Sequence, residues 1–269
     1  MTNRHLARKD VRIRHVVLKD LARAEADRLF EQLTDLAGVA MTPGVSAEQS
    51  WAVAEWQARR EAMFEVASVY VAEVEGRTVG FLAYQHDELL DLSVLTLLVC
   101  CIDPEWQSHG IAFTLNLRLL LRTWRRSRLR PGFIVARVLN PKALDGWRSQ
   151  LDDHRYFWPR IGDAPEPIPD LERVVAEYLR RHEPDTKFDW EGSVLKARHP
   201  PGDRVVSLSG NAVVDQHYDH FVDLDAGDTV LMAIYLDHSV IRVHLRRLLT
   251  VMPRVLFIRS GGAPPDDSR

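Results

Sequence analysis

The stretch from Leu95 to Trp124, LTLLVCCIDPEWQSHGIAFTLNLRLLLRTW, constrains the fold more than any other part of the chain. Leu95 to Ile102 is a short, continuous apolar run of the kind that forms a strand buried on both faces. Asp103-Pro104-Glu105-Trp106 breaks it, and Gly110 then opens a helix whose apolar residues Phe113, Leu117, Leu120, Leu121 and Trp124 recur at helical spacing. The connector Gln107-Ser108-His109-Gly110-Ile111-Ala112 is therefore a strand-to-helix loop. It leaves the first N–H groups of the helix unpaired beside the positive end of its dipole, which suits a phosphate.

Around this unit, Val11 to Leu18 reads as a first strand, and Asp20 to Gly38 as a helix that the glycine ends. Ser46 is positioned to cap a second helix carrying Trp51, Val53, Trp56 and Met63. Val69 to Val74 and Thr78 to Tyr84 pair across a Glu75-Gly76-Arg77 turn. Beyond the central helix, Phe133 to Val138 is the next parallel strand, and Asn140 caps a short helix with Pro141 at its first position. Asp170 to His182 is amphipathic, with Leu171, Val174, Val175, Tyr178 and Leu179 as its apolar stripe. Thr229 to Leu236 is again a buried strand, followed by a helix-like run from Ser239 to Met252, a strand-like Val255 to Ile258 and a disordered tail from Gly261.

Three residues of the loop, Gln107, Gly110 and Ala112, with Pro104-Glu105 upstream, give the chain a resemblance to the GNAT superfamily of acyl-CoA-dependent N-acyltransferases. The order strand, two helices, hairpin, buried strand, phosphate-type loop and helix is also that of the N-terminal half of the family. Asn140 and Ala143 fit a further family junction. The resemblance implies an α/β fold: a GNAT-like mixed central sheet with splayed parallel strands, plus a C-terminal insertion. On that reading residues 1–161 form the acyl-CoA-binding core, 162–228 an insertion without family counterpart, 229–260 the last core strand with a C-terminal helix and strand, and 261–269 the tail.

The same resemblance implies acetyl-CoA or another acyl-CoA as co-substrate, no metal, and an amine acceptor. Ile102 would pair with the pantetheine amides, Gln107, Ser108, His109, Gly110, Ile111 and Ala112 would hold the pyrophosphate, and Asn140 would contact the pantetheine from the opposite strand. The backbone N–H of Cys100 would point at the thioester carbonyl and stabilise the oxyanion. Acid and base depart from the family: Trp147 stands where many members have a tyrosine, and Thr96 where an acid is frequent. Nearby substitutes are His86, Asp87, Glu88 and Asp91 for the base and Tyr84 or Tyr156 for the acid, with Asp91 and Tyr156 the choices made here. A chain that kept the loop and lost both groups would be a non-catalytic acyl-CoA-binding or scaffold protein.

Other features carry paired readings. Cys100 is an acyl-accepting nucleophile or a small buried core residue, and the second is better founded because no base stands beside it. His217-Tyr218-Asp219-His220 offers metal donors, but a polar loop accounts for them. Arg118, Arg122, Arg125 and Arg126, with Arg128 and Arg130 beyond, either complete a helix end or form a patch for an acyl carrier protein or tRNA. The net charge of −3 argues against a general nucleic-acid coat. The adjacent Cys100 and Cys101 point to opposite faces of a strand, which fits a reducing cytoplasm rather than a disulfide scaffold. With no signal-peptide core and no long apolar run the chain is expected to be cytoplasmic and to have no membrane partner; a homodimer is left open.

Overall fold

The computed structural model describes residues 11–42, 44–46, 48–107, 109–126, 132–200 and 208–237. Strands β1 (Arg12–Val17), β2 (Ser68–Val74), β3 (Arg77–Leu89), β4 (Leu92–Ile102), β5 (Gly132–Val138), β6 (Phe157–Trp158), β7 (Phe188–Asp189), β8 (Val194–Leu195) and β9 (Thr229–Leu236) form one mixed sheet. Its order is β1-β2-β3-β4-β5-β9-β8-β7, with β6 also on β9. Every pairing is antiparallel except β4 with β5.

Alternation of side chains across the strands divides the core. On one face, Val69, Val71, Phe81 and Ala83 pack against α1 (Arg23–Met41), α2 (Trp51–Ala58) and α3 (Arg60–Val66). Further along that face, Val94, Phe133, Val135, Leu231 and Ala233 meet α6 (Pro169–His182), whose expected stripe is buried throughout. The opposite face holds α4 (Ile111–Arg126), α5 (Pro141–Arg148) and α7 (Ala212–Phe221) against Leu82, Tyr84, Leu97, Ile134, Ala136, Met232 and Ile234. The element order and mixed sheet are those that the family resemblance implies.

Several details differ from the sequence reading. Helix α1 runs through Gly38 rather than ending there, because the glycine lets α2 approach: a Cβ on Gly38 would lie 2.8 Å from Val53 Cγ2. Ser50, not Ser46, caps α2, its Oγ accepting from the Val53 N–H at 3.3 Å. Strand β3 continues to Leu89 and turns into β4 through Leu90 and Asp91, at φ of 53° and 61°. The polar run Gln85-His86-Asp87-Glu88 resembles a loop only because one face of this extension is open to solvent. Helix α4 buries Ile111, Leu115, Leu119 and Leu120, whereas Phe113, Leu117 and Leu121 are half-buried.

The 217–220 cluster is helical, not a loop, with Asn211 as the N-cap of α7. His217 Nε2 lies 3.0 Å from the Gly192 carbonyl. Among the described residues no group of His, Cys, Asp and Glu side chains has metal-binding geometry, and no helix is long and apolar enough to cross a membrane. The expected helix and strand after Ser239 and the tail lie outside the described residues.

Candidate active site

Strands β4 and β5 pair only from Val94↔Phe133 to Leu97↔Ala136. Immediately beyond, the register of β4 on β3 shifts: Ala83 faces Val99 and Tyr84 faces Leu97, so Leu98 is an extra residue. A bulge bends the strand that carries it. The bend takes residues 98–102 away from Arg137 to Asn140, and a cavity of about 580 Å³ opens between them. The expected splay is therefore present, and its cause is local. It also corrects the reading of Leu95 to Ile102 as buried on both faces, since Leu98 and Val99 are half-buried and Cys100 is exposed.

The cleft is lined from both faces of the sheet. Toward α4 and α5 it is walled by Ile102, Gln107, Asn140, Ala143 and Trp147. Gln107 Nε2 donates to the Ile102 carbonyl at 3.3 Å, tying the end of β4 to the loop before α4. Gly110 has φ +77°, a left-handed conformation that glycine adopts without strain, and a Cβ there would meet no atom within 4 Å. The first-turn N–H groups of α4 follow it directly. Asn140 caps α5 by accepting from the Lys142 N–H at 2.9 Å. These features fit a phosphate at the helix end and an extended chain against β4.

Toward α2 and α6 the lining is ionic. Glu55 and Arg59 come from α2 and its C-cap, Arg137 from β5, Tyr178 and His182 from α6, Glu183 from its C-cap, and Arg198 and His199 from the segment after β8. His199 Nδ1 is 2.8 Å from Glu55 Oε2 and must be the donor, because a carboxylate only accepts. Arg59 is 2.9 Å from Glu55, and Glu183 receives Arg137 at 3.2 Å and Arg198 at 2.7 Å. Burial opposes ionisation of Glu55, yet the His199 hydrogen bond and the charges of His199, Arg59 and Arg137 outweigh it and hold the carboxyl at about 2. Burial, and after it the charge of Arg137, lowers Arg59. None of these groups was singled out from the sequence. The signal available was Arg137, an arginine inside the apolar strand FIVARV.

Of the sequence candidates, Cys100, Ile102, Gln107 and Asn140 line the cleft. The Cys100 side chain opens into it while protein packs densely around, so burial pushes the thiol up to about 12; it is neither a covered core residue nor an activated nucleophile. Ile111 is in the core, Ala112 is half-buried, and His109 is exposed with Nδ1 2.9 Å from the Gln107 carbonyl. Ser108 lies outside the described residues.

The acid and base choices are not brought to the cleft. Asp91 sits in the β3–β4 turn, and Tyr156 packs on Tyr235 with ring centroids 5.6 Å apart; neither lines the cavity. Tyr84 is fully buried, its OH 2.9 Å from His15 Nε2. Asp87 accepts from Thr96 at the rim. Three side chains of the arginine face are described. Arg118 is half-buried, reaching toward the Ile13 carbonyl at 3.5 Å, and Arg122 is half-buried with its Nε enclosed, while Arg125 is exposed. The Arg126 side chain, Arg128 and Arg130 lie outside the described residues.

Comparison with solved structures returns acetyltransferases of the GNAT type. They include the ribosomal-protein-S18-alanine N-acetyltransferase of Escherichia coli (13% identity over 84% of this chain and 94% of that one, TM-score 0.40). A GNAT family N-acetyltransferase of E. coli in complex with CoA (15%, 52% and 67%, TM-score 0.38) and the PaiA N-acetyltransferase of Thermoplasma acidophilum in complex with coenzyme A (15%, 58% and 93%, TM-score 0.37) also match. No family model and no curated protein matches the chain. At these scores the likeness carries no weight for individual residues, and the site is read from its own geometry.

Proposed function

We propose that the chain is an acyl-CoA-dependent N-acyltransferase that moves an acyl group, acetyl in the simplest case, from free acyl-CoA to a primary amine by direct attack. The observation that carries this is the parting of β4 from β5 just after Leu97 and Ala136, at the strand that leads into the Gly110 helix start. A cleft lined from both faces in this way lets donor and acceptor meet at the thioester. The amine nitrogen bonds to the thioester carbon, the C–S bond breaks, and CoA leaves as the thiolate, which takes a proton from solvent while the proton lost by the amine returns there.

The backbone N–H of Cys100 is the oxyanion donor in this reading, and the phosphates lie on the N–H groups following Gly110. His199, held by Glu55, takes the proton of the attacking amine, in place of Asp91. Residues 162–228 are then part of the acceptor half rather than a separate appendage, since they supply Tyr178, His182, Glu183, Arg198 and His199. Free acyl-CoA is the simplest donor this cleft requires, and a carrier- or tRNA-linked donor remains the alternative use of the arginine face.

Calorimetric titration with CoA and thiol release from acetyl-CoA over a panel of primary amines test the proposal together. Absence of CoA binding refutes it. Binding without turnover on every amine identifies a non-catalytic acyl-CoA-binding protein instead. Within an active enzyme, His199→Ala is expected to lower kcat by about a hundredfold or more with unchanged affinity for CoA.

A further inference from the structure

The α2/α6 end of the cleft is unbalanced in charge. Its charged lining among the described residues is Arg59, Arg137 and Arg198 against Glu55 and Glu183. Arg137 and Arg198 both contact Glu183, while Glu55 is shared among Arg59, His199 and, at 4.0 Å, Arg198. The guanidinium left with least compensation is that of Arg59. Its side chain is also the most open of the three, at 33% against 10% for Arg137 and 20% for Arg198. A partly enclosed, surplus positive charge gains most from an entering anion, because its own solvation is already reduced.

We propose that the acceptor is an amine that also bears a carboxylate, and that Arg59 receives the carboxylate. This deepens the acyl-transfer reading of the same cleft and rests on it. The planar fork of a guanidinium matches a carboxylate in two parallel hydrogen bonds. Two electrostatic effects point the same way: Arg59 is lowered by burial and by Arg137, and Glu55 is held near 2 by the surrounding cations despite burial. The surplus also serves the chemistry. Positive charge near an ammonium group favours its deprotonated form, and only the free amine attacks a thioester.

The test pairs common amino acids with their carboxamides, which share the amine and lack the charge. Binding is read by saturation-transfer NMR with CoA absent, and turnover by thiol release from acetyl-CoA. The carboxylate members are expected to bind about tenfold or more tightly than the amides. A folded Arg59→Gln variant should lose that difference and raise the acceptor KM with no change in the KM for acetyl-CoA, and Arg59→Lys should keep part of it. The proposal is overturned if amides bind as well as acids, if neither binds, or if the preference survives in Arg59→Gln. A protein that prefers carboxylates through Arg59 yet binds no CoA upholds the anion site and sinks the acyl-transfer reading, so the two failures are distinguishable.

Discussion

Replacing Glu55 with glutamine tests whether the ionic end of the cleft is electrostatically coupled as its geometry requires. In the folded protein the carboxyl is held at about 2, against an ordinary 4.5. Its side chain is 20% exposed, so solvent screening removes only part of the effect. A drop of that size corresponds to about 3 kcal/mol of stabilisation from ionised Glu55. Because the folded value lies below the unfolded one, the contribution is complete above pH 4.5 and is lost as the pH falls toward 2. By pH 3 about 2 kcal/mol should be gone. Glu55→Gln removes the titrating group and the negative charge that Arg59 and His199 share and replaces one of its two acceptor oxygens with an NH2, at a cost of about 3 kcal/mol at neutral pH. Urea unfolding followed by tryptophan fluorescence at pH 7, 5, 4 and 3 gives both stabilities. The two curves should converge toward low pH, and curves that remain parallel across the range would show that Glu55 is not held by these cations.

Gly110→Asp should abolish CoA binding in calorimetry, since it sets a negative charge where the backbone meets phosphate; the left-handed φ adds about 1 kcal/mol of strain, visible as a lower Tm. Normal CoA affinity in the folded variant would remove the basis for the donor site. Cys100 should react with iodoacetamide at pH 8 more slowly than a free thiol, because the protein packed around it pushes its thiol up, and Cys100→Ala should keep near-full turnover since the backbone N–H remains. Trp147→Phe should change kcat by less than tenfold, a thousandfold loss without loss of stability being evidence that the indole is an acid after all.

Where local chemistry decides structure, the sequence was a good guide. The Asn140-Pro141 cap and first turn, the Glu75-Gly76 turn with φ of 51° and 82°, the stripe of α6 and the limits of β9 all depend on residues within a few positions of one another. Boundaries set by distant contacts were missed. Gly38 ends nothing because Val53, not the local chain, determines what fits there. The outer half of β3 is strand because β4 pairs with it from Leu89↔Leu92 onward, whatever its polar composition suggests.

The same division runs through the site. The donor half proposed for it is mostly backbone from one continuous segment of sequence, so a loop pattern and a following helix are enough to suggest it. The acceptor half proposed for it takes side chains at 55–59, 137, 178–183 and 198–199, which α2, β5, α6 and the segment after β8 bring to one cavity. Nothing in the spacing of those residues connects them. Arg137 alone offered a sequence signal, which the reading did not use: a charge within a buried strand requires a partner, and Glu183 supplies one at the C-terminal end of α6. An arginine that must be answered by a carboxylate from the C-cap of α6 ties that helix to the sheet. Removing Glu183 would leave Arg137 and Arg198 uncompensated in an enclosed cleft, so the 162–228 segment is bound to the acceptor site by charge as well as by its apolar stripe.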